Sequence, residues 1–181
     1  MNQITIPAIK LFIISFVCAL LLGLCSEITK EPIAAQEKKT QDDAMMAVLP
    51  NATFEEIEFE PSGTITMVNQ AKDSSGNVIG YVINCAPSGF GGNVGMMVGV
   101  DTEGVITGLR VLSHSETPGL GALSTDPSFY EQFSGKSGNL AVNKDNGDIV
   151  AITGATLTSR AVTSGANEAI EWVSQKVGGV N

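Results

Sequence analysis

Four apolar runs separated by short turns constrain the fold of this chain more than any other feature. The runs cover residues 64–71, 78–85, 94–100 and 105–114. Residues 74–77 and 101–104 have turn composition, and a glycine-rich stretch at 88–92 joins the second run to the third. Connections this short join antiparallel neighbours, because parallel strands need a crossover of a dozen or more residues. The pattern therefore predicts an antiparallel meander.

Helical patterns follow the strands. Residues 126–133 predict a short helix whose aromatic side chains, Phe129, Tyr130 and Phe133, pack in the core or in a lid. After Thr156, apolar residues recur on one face with a period of 3.6, at Val162, Ala166, Ala169, Ile170, Val173 and Val177. Just before that helix, residues 148–152 are typical of a short apolar strand. Strands followed by helices predict an α+β fold, with the meander packed against helices.

An apolar segment of 22 residues, from Ile4 to Cys25, is interrupted chiefly by Pro7 and Lys10. A membrane-spanning helix needs about 20 residues, and a lysine can extend to the interface. The alternative is a cleaved signal peptide, but Leu24 before Cys25 provides neither a small-residue cleavage site nor a good lipoprotein signal. The segment therefore predicts one N-terminal transmembrane helix.

Charge around this segment favours a cytoplasmic amino terminus, because the terminus itself and Lys10 lie towards its N-terminal side, although Lys30 follows it. Residues 26–46 are polar, with interspersed charges, and suit a juxtamembrane helix or linker. We predict a membrane anchor over residues 1–25, a juxtamembrane linker over 26–50 and an extracytoplasmic domain over 51–181. The protein would be a single-pass protein of the cell membrane.

Composition excludes several classes of function. Ten basic residues face 19 acidic ones, for a net charge of −9, which argues against nucleic-acid binding. Three cysteines (Cys18, Cys25 and Cys85) and one histidine occur without a Cys-x-x-Cys motif, so that neither a metal site, an iron–sulfur cluster nor a disulfide framework is supported. A dinucleotide-binding Gly-x-Gly-x-x-Gly and a hydrolase Gly-x-Ser-x-Gly are also absent. We predict no metal and no catalytic residue.

The turn that precedes the last helix is the most informative stretch. Its hydroxyls, at Thr153, Thr156, Thr158 and Ser159, lie where helix-capping residues belong. A helix start also presents unpaired N–H groups and a positive dipole end, which together suit a phosphate. Gly154 and Ala155 would let a bulky ligand approach the backbone. From these residues alone, an ordinary capped helix and an anion site both remain open.

A second stretch, residues 113–121, ends the fourth run and enters a Pro-Gly turn, a position where loops carry function. Taken alone, His114 and Glu116 could be an ordinary surface pair. The glycine-rich stretch at 88–92 could hold a phosphate through its amides or could simply be a flexible connection, and it lacks the lysine of a P-loop.

These motifs together resemble the FMN-binding domain family, which includes the G-subunit of the Rnf electron-transport complex and the C-subunit of the sodium-pumping NADH:quinone reductase. Thr153-Gly154-Ala155-Thr156-Leu157-Thr158 resembles the flavinylation motif of that family, and His114-x-Glu116-Thr117-Pro118-Gly119-Leu120-Gly121 resembles its second signature. The resemblance implies FMN joined through its phosphate to Thr156, with Thr158 the alternative acceptor.

The resemblance also implies the remaining pocket residues. Glu116 and Thr117 would lie near polar edges of the flavin or its ribityl chain, and the residues after them would supply backbone and apolar contacts. The full set of expected cofactor-binding residues is Thr156, Thr153, Gly154, Ala155, Thr158, Glu116, Thr117, Gly119, Leu120, His114, Gly91 and Gly92. An acid near the motif, here Asp148, could be read by the attaching enzyme.

By resemblance, we expect an electron-relay subunit of an Rnf-type ion-translocating ferredoxin:NAD oxidoreductase complex, which is a redox subunit rather than a complete enzyme. Its partners would be the other membrane and soluble subunits. A separate flavin transferase is expected because a threonine hydroxyl is a poor nucleophile and the sequence offers no base suited to activating it. The alternatives are a stand-alone membrane-tethered FMN carrier for another reductase and a non-redox anchored binding module.

Overall fold

The computed structural model describes residues 2–60 and 63–178, and the chain divides into two compact units, Met1–Gln41 and Asp42–Asn181. The first unit is helical and belongs to α1, which runs over Asn2–Val48. Its large apolar side chains, such as Phe12 and Leu22, are exposed, and α1 is long and apolar enough to cross a membrane. These features are consistent with membrane association. The predicted boundaries after residues 25 and 50 remain predictions.

The second unit is built on a five-stranded sheet. The strands are β1 (Thr53–Glu56), β2 (Ile65–Lys72), β3 (Val78–Cys85), β4 (Gly95–Asp101) and β5 (Ile106–Ser113). They pair in the order β1-β2-β3-β4-β5 and every pair is antiparallel, so the predicted meander is confirmed. The sequence pattern did not predict β1, because it has only four residues and two of them are glutamates. Its pairing with β2 includes an ion pair between Glu55 and Lys72.

The two faces of the sheet are covered by different helices. The larger core lies between one face and α3, which spans Thr156–Gly178, and this confirms the predicted α+β fold. On the other face, Val48 at the end of α1 packs with Ala71, Val82 and Met97. Glycine at position 108 permits this contact, because a Cβ there would lie 2.9 Å from the Val48 Cα.

The apolar face of α3 is buried at Val162, Ala166, Ala169, Ile170 and Val173, as predicted. Val177, the last residue of the predicted face, is 39% exposed. The turn between β4 and β5 meets α3 near Ile170 and Ser174, one turn before Val177, so that the end of the helix extends past the sheet.

Short helices occupy the connection between β5 and α3. They are a 3-10 helix over Gly121–Thr125, α2 over Pro127–Tyr130, and 3-10 helices over Glu131–Phe133 and Asn143–Asp145. The predicted helix near residues 126–133 is thus confirmed, and Asp126 caps it by accepting the Ser128 N–H. Phe129 and Phe133 are buried in edge-to-face contact, as predicted.

The strand predicted over residues 148–152 is wrong. Ile149 forms a single parallel bridge with Val142, and no ladder continues from it among the described residues. Side chains replace the missing partner strand: the Gln132 Oε1 accepts the Val150 N–H at 2.8 Å, and the Asn143 Oδ1 accepts the Ala151 N–H at 3.2 Å. The apolar composition therefore reflects burial of Ile149 and not strand pairing.

Candidate functional site

The turn before α3 is fixed by one buried hydroxyl. The Ser159 Oγ accepts the Ile152 N–H at 2.9 Å and donates to the Ala155 carbonyl at 3.0 Å. Gly154 has a φ of +77°, a left-handed conformation that glycine adopts without the strain a side chain would bring. Of the four hydroxyls expected at the cap, only that of Ser159 is bonded there. The hydroxyls of Thr153 and Thr156 have no hydrogen-bond partner among the described residues.

The first turn of α3 offers free backbone donors. The Ala155 carbonyl accepts the Ser159 N–H at 3.0 Å, so the first three amides of the helix, those of residues 156–158, precede the first intrahelical bond. None of these amides has an acceptor in the part of the chain that the structure describes. Together with the helix dipole, they form a positively polarised site for an anion.

A cavity of about 390 Å³ opens beside this helix start. It is lined by Phe90, Glu116, Thr117, Leu120, Gly121, Gly154, Ala155, Thr156, Leu157 and Thr158. The Thr156 side chain is half-buried, whereas Thr158 is 0% exposed and its Oγ1 is buried without a partner. Phe90 and Leu157 expose large apolar surfaces. The cavity therefore combines apolar walls with a few polar groups, which is typical of small-molecule sites.

Glu116 connects the cavity to the glycine-rich stretch. Glu116 is buried, with 7% of the residue exposed, and its Oε1 accepts the N–H groups of Phe90 at 2.8 Å and Gly91 at 3.1 Å. The Glu116 N–H donates in turn to Nδ1 of His114 at 3.3 Å. Glu116 thus joins the second motif to the glycine-rich stretch.

The structure brings seven of the expected site residues into one cavity, from two distant parts of the chain. They are Glu116, Thr117, Leu120, Gly154, Ala155, Thr156 and Thr158. Gly119 and Thr153 line a neighbouring cavity of about 570 Å³, which shares Leu120 with the first. His114, Gly91 and Gly92 line neither cavity. Gly91 lies behind the wall, where a Cβ would come closer than 3.0 Å to the backbone of Ser115.

The cationic side chains near the turn are already paired. The Arg160 guanidinium donates to both carboxylate oxygens of Asp145, at 2.6 and 2.7 Å, and Lys136 pairs with Asp148. The hydrogen bond from Arg160 lowers the pKa of Asp145, and the one from Lys136 lowers the pKa of Asp148. An anion at the start of α3 would therefore be held mainly by backbone amides.

Curated relatives match nearly the whole chain. The G-subunit of an ion-translocating oxidoreductase complex from Methanosarcina acetivorans is 36% identical over 98% of this chain and 98% of its own length. The chain belongs to this G-subunit family. The G-subunit of a Na⁺-translocating ferredoxin:NAD⁺ oxidoreductase complex from Acetobacterium woodii is 38% identical over 89% of this chain and 87% of its own. These matches confirm the predicted resemblance.

A family model described as an FMN-binding domain matches residues 89–171 of this G-subunit homologue. That range contains all ten residues that line the cavity beside α3. The cavity is therefore part of the FMN-binding domain.

Solved structures support the fold. NqrC of Shewanella oneidensis superposes with a TM-score of 0.53 at 22% identity, covering 75% of this chain and 74% of its own. The C-subunit of the Na⁺-translocating NADH-quinone reductase of Parabacteroides distasonis gives a TM-score of 0.51 at 24% identity, covering 68% and 72%. The G-subunit homologue thus shares its α+β fold with these proteins.

Gly121 lies in the second motif but outside the set of expected cofactor-binding residues, and sequence reasoning did not select two further lining residues, Phe90 and Leu157. Both lie inside motifs that were recognised, next to Gly91 and Thr156. The available signal was a large apolar side chain within an otherwise small and polar motif.

Proposed function

We propose that this G-subunit homologue is the FMN-carrying electron relay of an Rnf-type ion-translocating ferredoxin:NAD oxidoreductase complex. The observation that carries the proposal is the half-buried Thr156 on the wall of a cavity, beside three free amides at the start of a long helix. The chain would contribute one redox centre and would leave NAD and ferredoxin binding to other subunits.

The residues present fit FMN. The cavity volume lies within the range of about 300–1,000 Å³ typical of small-molecule sites. Phe90, Leu120 and Leu157 supply apolar surface for a planar ring, and the amides at the start of α3 suit a phosphate. The unpartnered Oγ1 of Thr158 is a further polar group at this cavity. When bound, FMN supplies the electron-transfer chemistry, and the protein supplies binding and orientation.

We propose Thr156 as the residue that carries FMN through a phosphoester. A hydroxyl that becomes esterified must be accessible to the large molecule that donates the FMN group. Thr156 is half-buried at the cavity, whereas Thr158 is completely buried. A phosphodiester at Thr156 would retain about one negative charge, which the helix dipole stabilises.

The same geometry supports a separate flavin transferase. No side chain of the described residues hydrogen-bonds the Thr156 hydroxyl, so none is placed to remove its proton, and an unactivated threonine is a poor nucleophile. The transferase would join the threonyl oxygen to the FMN phosphorus of FAD and release AMP. We propose that the domain lies on the extracytoplasmic side, where a covalent bond prevents loss of the cofactor.

Paired threonine substitutions test the proposal. The full chain is made together with its transferase as wild type, Thr156→Val and Thr158→Val, and flavin fluorescence is measured in a denaturing gel. Thr163→Val is the control, because Thr163 is another buried hydroxyl of α3 whose Oγ1 donates to the Ser159 carbonyl at 2.8 Å. We expect fluorescence to disappear with Thr156→Val and to persist in the other two.

Loss of fluorescence in Thr158→Val with retention in Thr156→Val would move the linkage to Thr158. A dark wild-type band would refute the covalent linkage. Purification of the wild-type protein without any other membrane subunit would argue against membership of a complex.

A further inference from the structure

Three glycines surround the buried carboxylate of Glu116. A Cβ on Gly89 would lie closer than 3.0 Å to Oε1, and a Cβ on Gly121 would lie closer than 3.0 Å to Oε2 and 2.7 Å from the Thr158 Oγ1. A Cβ on Gly91 would lie closer than 3.0 Å to the Ser115 carbonyl oxygen. Real Cβ atoms essentially never come this close, so a side chain at Gly89 or Gly121 would displace the Glu116 carboxylate, and one at Gly91 would displace the backbone of Ser115.

The glycine-rich stretch is a small hairpin held together by its own backbone. The Gly89 N–H donates to the Gly92 carbonyl and the Val94 N–H donates to the Pro87 carbonyl, each at 2.8 Å. Two further amides of the hairpin, those of Phe90 and Gly91, donate to the Glu116 Oε1. Glu116 therefore does not form the hairpin but fixes where the hairpin lies.

Because Glu116 is buried, its carboxylate depends on the hydrogen bonds from Phe90 and Gly91. The carboxylate of a residue that is only 7% exposed needs hydrogen-bond donors, and bonds from N–H groups to an ionised carboxylate are about twice as strong as neutral ones. Phe90 projects a side chain that is 73% exposed, and it lines the cavity from the hairpin that Glu116 holds. The position of this apolar wall thus depends on Glu116.

The second oxygen of the carboxylate faces the first turn of α3. Oε2 and the Thr158 Oγ1 both lie within 3.0 Å of the point that a Cβ on Gly121 would occupy. Glu116 consequently lies where three segments meet: the hairpin, the turn after β5 and the helix start that carries Thr156. These three segments contain every residue that lines the cavity.

We propose that Glu116 is a positioning residue that assembles the cofactor site by fixing the hairpin over residues 87–94, so that its loss strongly reduces flavin attachment at Thr156. The inference rests on the proposed function for the attachment itself. This role differs from the one expected from the sequence, which was contact of Glu116 with a polar edge of the flavin.

Residue-resolved hydrogen exchange tests the contact directly. The full chain, made without the transferase and held in detergent, is compared as wild type, Glu116→Gln and Glu116→Ala. We expect the amides of Phe90 and Gly91 to exchange at least about tenfold faster in Glu116→Ala, because each loses a charge-assisted bond. The amides of Gly89 and Val94, which have backbone acceptors, should keep their protection. This pattern separates loss of the contact from general unfolding.

Flavin content tests the consequence. With the transferase present, we expect the flavin bound per protein to fall by about tenfold in Glu116→Ala, since small misplacement of reacting groups has effects of this size or more. Glu116→Gln keeps a neutral acceptor with a weaker bond, so exchange should rise less and most flavin should remain. Glu168→Ala is the matched control, because that carboxylate also holds two donors, the N–H and Oγ1 of Thr64, but does not line the cavity.

Unchanged exchange at Phe90 and Gly91 in Glu116→Ala would overturn the proposal. Faster exchange in Glu116→Ala with normal flavin content would also overturn it. A Glu116→Gln protein that keeps its protection but loses its flavin would do the same, because it would indicate direct contact between the Glu116 charge and the flavin. If wild type carries no covalent flavin, the proposed phosphoester at Thr156 fails separately. Non-covalent FMN binding, followed by fluorescence quenching, then replaces flavin content as the second readout, and equal affinity in wild type and Glu116→Ala would refute the positioning role.

Discussion

Replacing Ser159 with alanine should destabilise the domain and loosen the turn that carries Thr156. The hydroxyl is completely buried and makes two hydrogen bonds, one from the Ile152 N–H at 2.9 Å and one to the Ala155 carbonyl at 3.0 Å. Alanine would leave the Ile152 N–H without an acceptor. An unsatisfied buried group costs about 1–3 kcal/mol, and because Ile152 is only partly buried we expect a free energy of unfolding lower by about 2 kcal/mol.

Ser174→Ala is the matched control. Its hydroxyl lies on the same helix and donates to the Ile170 carbonyl at 2.9 Å, but it accepts no backbone N–H among the described residues. Removing it should change the free energy of unfolding by less than about 0.5 kcal/mol. Thermal melting of the full chain in detergent provides the comparison. For a domain of this size, about 2 kcal/mol corresponds to a melting temperature lower by about 6–8 °C.

The flavin content of the same variants reports on the turn. With the transferase present, Ser159→Ala should carry less flavin than Ser174→Ala at a temperature where both are folded, because the segment before Thr156 has lost its anchor. Equal melting temperatures for the two variants would refute the structural account of the turn. A lower melting temperature with normal flavin content would show that the turn holds its shape without Ser159.

Two further predictions concern ionisable groups. Arg160 lowers the pKa of Asp145 below its ordinary value of 3.8, so the pair should stabilise the fold fully above that value and lose its effect as pH falls through the lowered pKa. The difference in stability between wild type and Arg160→Gln should therefore begin to shrink below about pH 3.8 and vanish below the lowered pKa. A difference that stays undiminished in acid would contradict the pairing. Burial raises the pKa of the Cys85 thiol to about 12. Peptide mapping after maleimide treatment at about pH 8 should therefore find Cys85 unmodified until the protein is unfolded. Rapid modification of Cys85 in the native protein would argue against its burial.

The strands were predictable because local signals and the tertiary fold agree. Short polar turns at residues 74–77 and 101–104 permit only antiparallel neighbours, and β2 to β5 form within one or two residues of the predicted positions. β1 was not predictable, because its glutamates carry no apolar alternation and it forms only by pairing with β2. The strand predicted over residues 148–152 was wrong for a different reason. The residues are apolar, but the side chains of Gln132 and Asn143 provide the hydrogen bonds that a partner strand would have provided.

The sequence motifs predicted which residues line the site, but they did not predict the contacts between those residues. Two motifs identified most of the residues that line the cavity, including Thr156 and Glu116. The hydrogen bonds from Phe90 and Gly91 to Glu116 join residues 25 and 26 positions apart, and they depend on where β3, β4 and β5 place the ends of their connections. No local pattern contains that information. The same holds for the burial that distinguishes Thr158 from Thr156, which arises from packing against the turn after β5.

Peptide mapping of the native protein most directly tests the central proposal. The protein is purified from membranes in which its transferase is present, digested, and analysed by mass spectrometry for the peptide that contains residues 153–159. We predict a peptide heavier by one FMN phosphoryl group, with the modification localised to Thr156 by fragmentation. An unmodified peptide, in material whose transferase modifies another known substrate, would contradict the proposed role as a covalent flavin carrier.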